Sequence, residues 1–75
     1  FWTEAAKCFL ALNLPELALA ELTEGRRRAQ AQGNQNELAR TYALMGAGHL
    51  LRGDEASAIN SWTDALRSYP ALQGT

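Results

Sequence analysis

Valine is absent from this 75-residue chain and Ile59 is its one isoleucine, so the residue types that favour strands are nearly missing. There is one cysteine, Cys8, which excludes an internal disulfide and any cysteine-rich zinc site and is compatible with a reducing, intracellular and cytoplasmic setting. His49 is the one histidine, and no partner stands at a spacing that would make it a general acid or base. The formal net charge of -1 offers a polyanion no overall attraction, so nucleic acid is not an expected partner. No apolar run is long enough to span a membrane, and no charged start followed by an apolar middle marks a secretion signal. Phosphate-binding loops and metal-ligand spacings are missing as well. A chain this short sits near the size at which one core supplies little net stability, which disfavours a deep pocket. No enzymatic activity, cofactor or metal is expected.

What remains is rich in Ala, Leu, Glu, Gln and Arg, and the expected fold class is all-α. Breakers divide the chain into four helices. Over residues 2–12, Trp2, Ala5, Ala6, Phe9 and Leu12 recur at spacings of three and four, on one packed stripe. Asn13 then caps a second helix, with Pro15 in its first turn and Glu16 placed as in a capping box. That helix runs to about Gln32, with Gly25 as a weak point, and Gly33-Asn34 closes it. Asn36 caps a third helix over about 36–52, ended by Gly53. Asp54 caps a fourth, ended by Tyr69-Pro70. Joints this short between similar helices imply antiparallel neighbours.

The chain also repeats itself. Trp2 aligns with Tyr42, Ala6 with Gly46, Phe9 with His49, Asn13 with Gly53, Ala18 with Ala58 and Leu22 with Trp62, each pair 40 residues apart. Small residues meet small, large meet large, and the break meets the break. One helical hairpin is used twice, at about 1–34 and 35–70, within a single domain over 1–75. Because "FWTEAAKCF" reads as helix interior without an initiator Met, we take the chain to be a segment of a longer protein.

In order and spacing, Tyr42, Met45, Gly46, His49, Gly53, Ala58, Trp62, Ala65 and Pro70 follow a known signature, with Met45 for leucine and His49 for an aromatic. The chain resembles the tetratricopeptide repeat family. Trp2, Ala5, Ala6, Phe9, Ala18 and Leu22 carry a weaker first copy, which has Gly25 and Gln30 where the second has Ala65 and Pro70. The period exceeds the family's usual length of about 34, and looks like the longer repeats of kinesin light chains, spindle-orientation adaptors and many bacterial regulators. The resemblance implies two antiparallel helix-turn-helix hairpins stacked as an α-solenoid. Its concave face would be lined by the first helix of each hairpin and would bind an extended peptide or a partner helix. On that geometry the groove is lined by Thr3, Lys7 and Leu10, beside Glu4 and Ala11, and by Arg40, Ala43, Leu44, Ala47, Leu50 and Leu51. This lining is mostly small and apolar. It lacks the lysine and asparagine cluster with which chaperone-binding members of the family clamp a C-terminal carboxylate, so a chaperone tail is not the expected ligand. An amphipathic helix or apolar peptide fits better, unless neighbouring repeats cover the same surface.

The implied function is a protein-interaction scaffold or adaptor. One alternative is a regulatory or sensor array inside a larger signalling or transcription protein. Another is a self-association module, because Ile59, Trp62, Leu66 and Tyr69 lie on or near one stripe of the last helix with nothing following to cover it. The "RGD" of residues 52–54 reads as a hairpin joint rather than an adhesion motif, since the repeat alignment demands a break there. Arg26, Arg27 and Arg28 fan around their helix by roughly 100° each, which makes a solvated face, paired in part with Glu24, rather than an anion site. His49 is expected to pack, and Cys8 to be an inert or partly buried thiol.

Overall fold

The computed structural model describes residues 2–68, and within them four helices and no strand. They are α1 (Trp2–Ala11), α2 (Pro15–Gln32), α3 (Gln35–Leu51) and α4 (Glu55–Ser68). Tyr69 and Pro70, expected to end the last helix, lie outside the described residues.

All three joints are built alike. Asn13, Gly33 and Gly53 take left-handed φ values of 58°, 68° and 81°. In each, the residue after the left-handed one donates its N–H to a carbonyl five residues back: Leu14 to Phe9 (2.8 Å), Asn34 to Ala29 (3.0 Å) and Asp54 to His49 (2.9 Å). The left-handed residue itself donates three residues back, to Leu10, Gln30 and Leu50. This double closure satisfies carbonyls that a helix end would leave orphaned, and it requires a residue tolerant of positive φ. Asn13 is therefore the terminator of α1, not the cap of α2; asparagine is among the few side-chain-bearing residues that enter this region readily. Leu14 stands at the cap of α2 without a side-chain hydrogen bond, and Pro15 enters the first turn, where its missing N–H is harmless. A second correction concerns α3. Asn34, not Asn36, is its cap, and its Oδ1 accepts from the Glu37 N–H at 3.1 Å. Asp54 caps α4 as expected, accepting from the Ser57 N–H at 3.1 Å.

Each helix packs on the next in the chain, and α1 also packs on α3, with no contact of the same extent between α2 and α4. The core cluster is Ala6, Ala18, Leu19, Leu22 and Met45, with Phe9, Leu10, Tyr42 and Leu44 against it. Small residues set the helix separations. A methyl on Gly46 would fall within the Trp62 indole, 2.6 Å from Cδ1, and one on Gly48 would stand 3.0 Å from Leu19 Cδ2. Ala18 and Ala58, both fully buried, repeat the theme on α2 and α4. Gly25, expected as a weak point, has a packing role instead: an added methyl would stand 3.0 Å from Trp2 Cβ. Leu12, placed by its spacing on the packed stripe, lies beyond the end of α1 and is 69% exposed.

Candidate interaction surface

The expected groove residues occupy two different sides of α1 and α3. Thr3, Ala6 and Leu10 fall on one stripe of α1 by their spacing. That stripe faces the protein interior: Ala6 belongs to the core, and Leu10 approaches the position of a Gly48 methyl at 3.8 Å. Thr3, an expected groove residue, is 4% exposed and so offers a ligand almost nothing. The same stripe on α3 holds Ala43, Gly46 and Leu50. Trp62 of α4 lies across it, donating its Nε1–H to the Ala43 carbonyl at 3.2 Å. Ala43 and Leu50 therefore belong with α4 on one end of the molecule, and Leu50 is exposed there.

The second side is carried by Glu4, Lys7 and Ala11 of α1 and by Arg40, Leu44, Ala47 and Leu51 of α3. Successive members on each helix are three or four apart, and the two stripes run on adjacent helices because α1 packs on α3. Lys7, Ala11, Arg40 and Leu51 are exposed, Ala47 is half-buried, and Leu44 is half-buried against the core. The charges present are paired locally: Lys7 Nζ lies 3.7 Å from Glu4 Oε1, and Arg40 Nη1 lies 3.7 Å from Glu37 Oε2. Exposed pairs of this kind contribute little to stability and are readily exchanged for a ligand's charges. What the surface offers is an apolar strip along α3, Leu44 to Leu51, with Arg40 toward the start of the same helix and Lys7 on α1.

The arginine run is engaged elsewhere. Arg27 clasps Glu24 through two hydrogen bonds, of 2.6 and 3.0 Å, and Arg28 Nε donates to the same carboxylate at 3.0 Å. The bond from Arg27, then that from Arg28, holds the Glu24 carboxyl well down, at about 2. Arg28 also stacks its guanidinium over the Trp2 ring, 4.7 Å from the centroid. Arg52, in the "RGD" joint, reaches Glu16 with Nε 3.6 Å from Oε1, which ties the third joint to the start of α2. Asp54 of the same tripeptide is held below the usual carboxylate range, first by its side-chain bond to Ser57.

His49 is half-buried in the place that Phe9 takes 40 residues earlier, and its Nδ1 is buried without a hydrogen-bond partner. Cys8, expected to be inert or partly buried, is an exposed free thiol. Among the described residues no group of three or more His, Cys, Asp or Glu is gathered as a metal ion would require. Nor is any described helix long and apolar enough to cross a membrane.

The residues that reading the sequence missed are the exposed leucines at the start of the chain's first joint. Leu12, Leu14 and Leu17 are 69%, 41% and 49% exposed. Their signal was available in the repeat alignment: 40 residues on, the same positions are Arg52, Asp54 and Ser57, all polar. Leu66, like Ile59 and Trp62, is exposed on α4 as its stripe implied, while Tyr69 lies outside the described residues. Compared with protein-family models, curated proteins and solved structures, the chain matches none.

Proposed function

We propose that the chain is a pair of tetratricopeptide-like hairpins, part of an α-solenoid, acting as a protein-interaction scaffold without catalysis of its own. Its ligand is an amphipathic helix or apolar peptide laid along α1 and α3. The observation that carries this reading is the side-by-side packing of α1 and α3, helices on which Lys7, Arg40 and Leu51 are exposed and Ala47 is half-buried, while α2 is not so joined to α4. A helix-in-groove ligand needs apolar anchors at one helical spacing and few fixed charges, and this strip supplies both. The groove lining is narrowed accordingly to Lys7, Arg40, Leu44, Ala47 and Leu51.

Peptides selected on the wild-type chain from a display library test the reading, with binding followed by titration against an Ala47→Glu, Leu51→Glu double variant. Leu44 is left intact because it packs on the core. Selected peptides are expected to be amphipathic and apolar on one face, and to bind the double variant at least tenfold more weakly while its circular dichroism is unchanged. Acidic peptides ending in a free carboxylate, of the chaperone-tail kind, should not be enriched. Equal binding to the wild type and the double variant would move the ligand to another surface and overturn the groove.

A further inference from the structure

The face that α3 covers on the first helix pair is open on the second. Leu19 is 9% exposed and Leu22 fully buried, yet their equivalents Ile59 and Trp62 are 59% and 39% exposed. Leu10 is half-buried, and its equivalent Leu50 is 49% exposed. The covering stripe of α3 is Met45, Gly48 and, just past the helix end, Arg52. Met45 enters the core with Leu19 and Leu22, Gly48 lies against Leu19 and Leu10, and Arg52 pairs with Glu16 at 3.6 Å. The same stripe 40 residues earlier is Ala5, Cys8 and Leu12, of which Ala5 is half-buried and the other two are exposed. On the open face, Ala56 stands where the first pair has Glu16, and it too is exposed.

We propose that a second copy of this chain docks the Ala5–Cys8–Leu12 stripe of its α1 on the open Leu50–Ile59–Trp62 face, head to tail, in the register by which α3 docks on the first pair. The chemistry agrees position by position. Cys8 falls against Ile59 and Leu50, as Gly48 falls against Leu19 and Leu10. Leu12 meets Ala56 where Arg52 meets Glu16, so an ionic pair within the chain becomes an apolar pair between copies. Both members have changed together: an arginine opposite Ala56, or a glutamate opposite Leu12, would place a charge against an apolar partner. Because a thiol is larger than the hydrogen of Gly48, two copies stand further apart than the two pairs within one chain, and the contact between copies is the weaker one. The two docking surfaces differ, so the contact is heterologous and does not close on itself; the stack grows past a dimer.

The inference rests on the equivalence of the two helix pairs, which also underlies the scaffold reading, but not on the groove, whose Ala47 and Leu51 lie on another stripe. Sedimentation velocity over a concentration series, combined with disulfide trapping, tests it. The mass of the wild-type chain should rise with concentration beyond that of a dimer. Ile59→Glu, at an exposed position, should weaken association more than tenfold with unchanged circular dichroism. Oxidised glutathione should convert the Ile59→Cys chain into a ladder of dimers, trimers and longer species. Within the chain the Leu19 Cγ lies 3.1 Å from the position of a Gly48 methyl, so the same register between copies makes residues 8 and 59 neighbours. A wild-type chain that stays monomeric throughout, association indifferent to Ile59→Glu, or an Ile59→Cys chain that stops at dimers would each overturn the proposal. Peptide binding that fails at Leu51 while these results hold would sink the groove alone.

Discussion

The two helix pairs end their first helices with the same left-handed double closure, yet they bury different amounts of the same pattern. In the first pair the chain reverses through Asn13, in the second through Gly53, and the equivalent hydrogen bonds differ in length by no more than 0.2 Å. Leu22 and Trp62 occupy equivalent places and both are large. One is fully buried and the other is 39% exposed, because α3 lies over the first pair and no described element lies over the second. Local conformation is thus a property of the repeat unit, whereas burial is a property of the neighbour. The energetic consequence is that equivalent residues should not be equivalent in stability.

The largest expected effect tests that consequence directly. Leu22→Ala should destabilise the chain by about 2–5 kcal/mol, the range for emptying a well-packed core site, as read by denaturant unfolding. Trp62→Ala should cost distinctly less, despite removing more atoms, since much of the indole already meets water. Equal losses would break the comparison and mean that Trp62 is covered in solution. Where the pairs are alike, their responses should converge. Ala18→Leu and Ala58→Leu both place a longer side chain at a fully buried position, and each should cost about 1–3 kcal/mol by overpacking. Gly46→Ala belongs in the same range, because its methyl falls within the Trp62 indole and Trp62 must move outward. Indole fluorescence should report that movement.

Smaller effects sharpen the picture at the helix ends. Asn34→Ala removes the side-chain cap of α3 and should cost about 1 kcal/mol. The pH dependence follows from two carboxylates. Arg27, then Arg28, lowers Glu24 to about 2, and the Ser57 bonds lower Asp54. A group whose folded value is depressed contributes stability that is fully present above its unfolded value and is lost as the pH falls toward the folded one. Helicity should therefore hold near neutral pH and decline below about 4, continuing toward 2. Glu24→Gln should flatten the lower part of that decline, with thermal melts at successive pH values as the measurement. Both groups are at the surface, so salt should reduce the effect.

Much of this architecture was legible along the chain. Glycine at positions 33 and 53 and the run of helix-favouring residues between the breaks indicate four helices, and the 40-residue offset pairs the small residues that meet at the crossings. Other features were not legible, for identifiable reasons. Asn13 can cap a helix with its side chain or end one with its backbone; both uses suit asparagine, and only the positive φ distinguishes them. Asn34 and Asn36 offer the same cap chemistry two residues apart, and the choice depends on where Gly33 releases the chain. Thr3 was placed on an open groove by its repeat position, but that position is covered in the first pair and open in the second. Cys8 stands beside the half-buried Phe9 in sequence but is exposed, since consecutive helix positions point about 100° apart.

The helical class, the places where the chain turns and the register between its two halves are determined by the sequence alone. These depend on local propensities, on residues able to take a left-handed φ, and on spacings that persist whatever the helices later touch. Which side of each helix is covered was decided only by the tertiary structure. A stripe such as Leu10–Leu19–Leu22 or Leu50–Ile59–Trp62 reads alike in both halves, and burial requires a second surface whose position no local rule contains. The candidate interaction strip, the exposed Ile59 and Trp62 of α4 and the exposed thiol of Cys8 all arise at that level, from one helix, α3, lying over the first pair while no described element lies over the second.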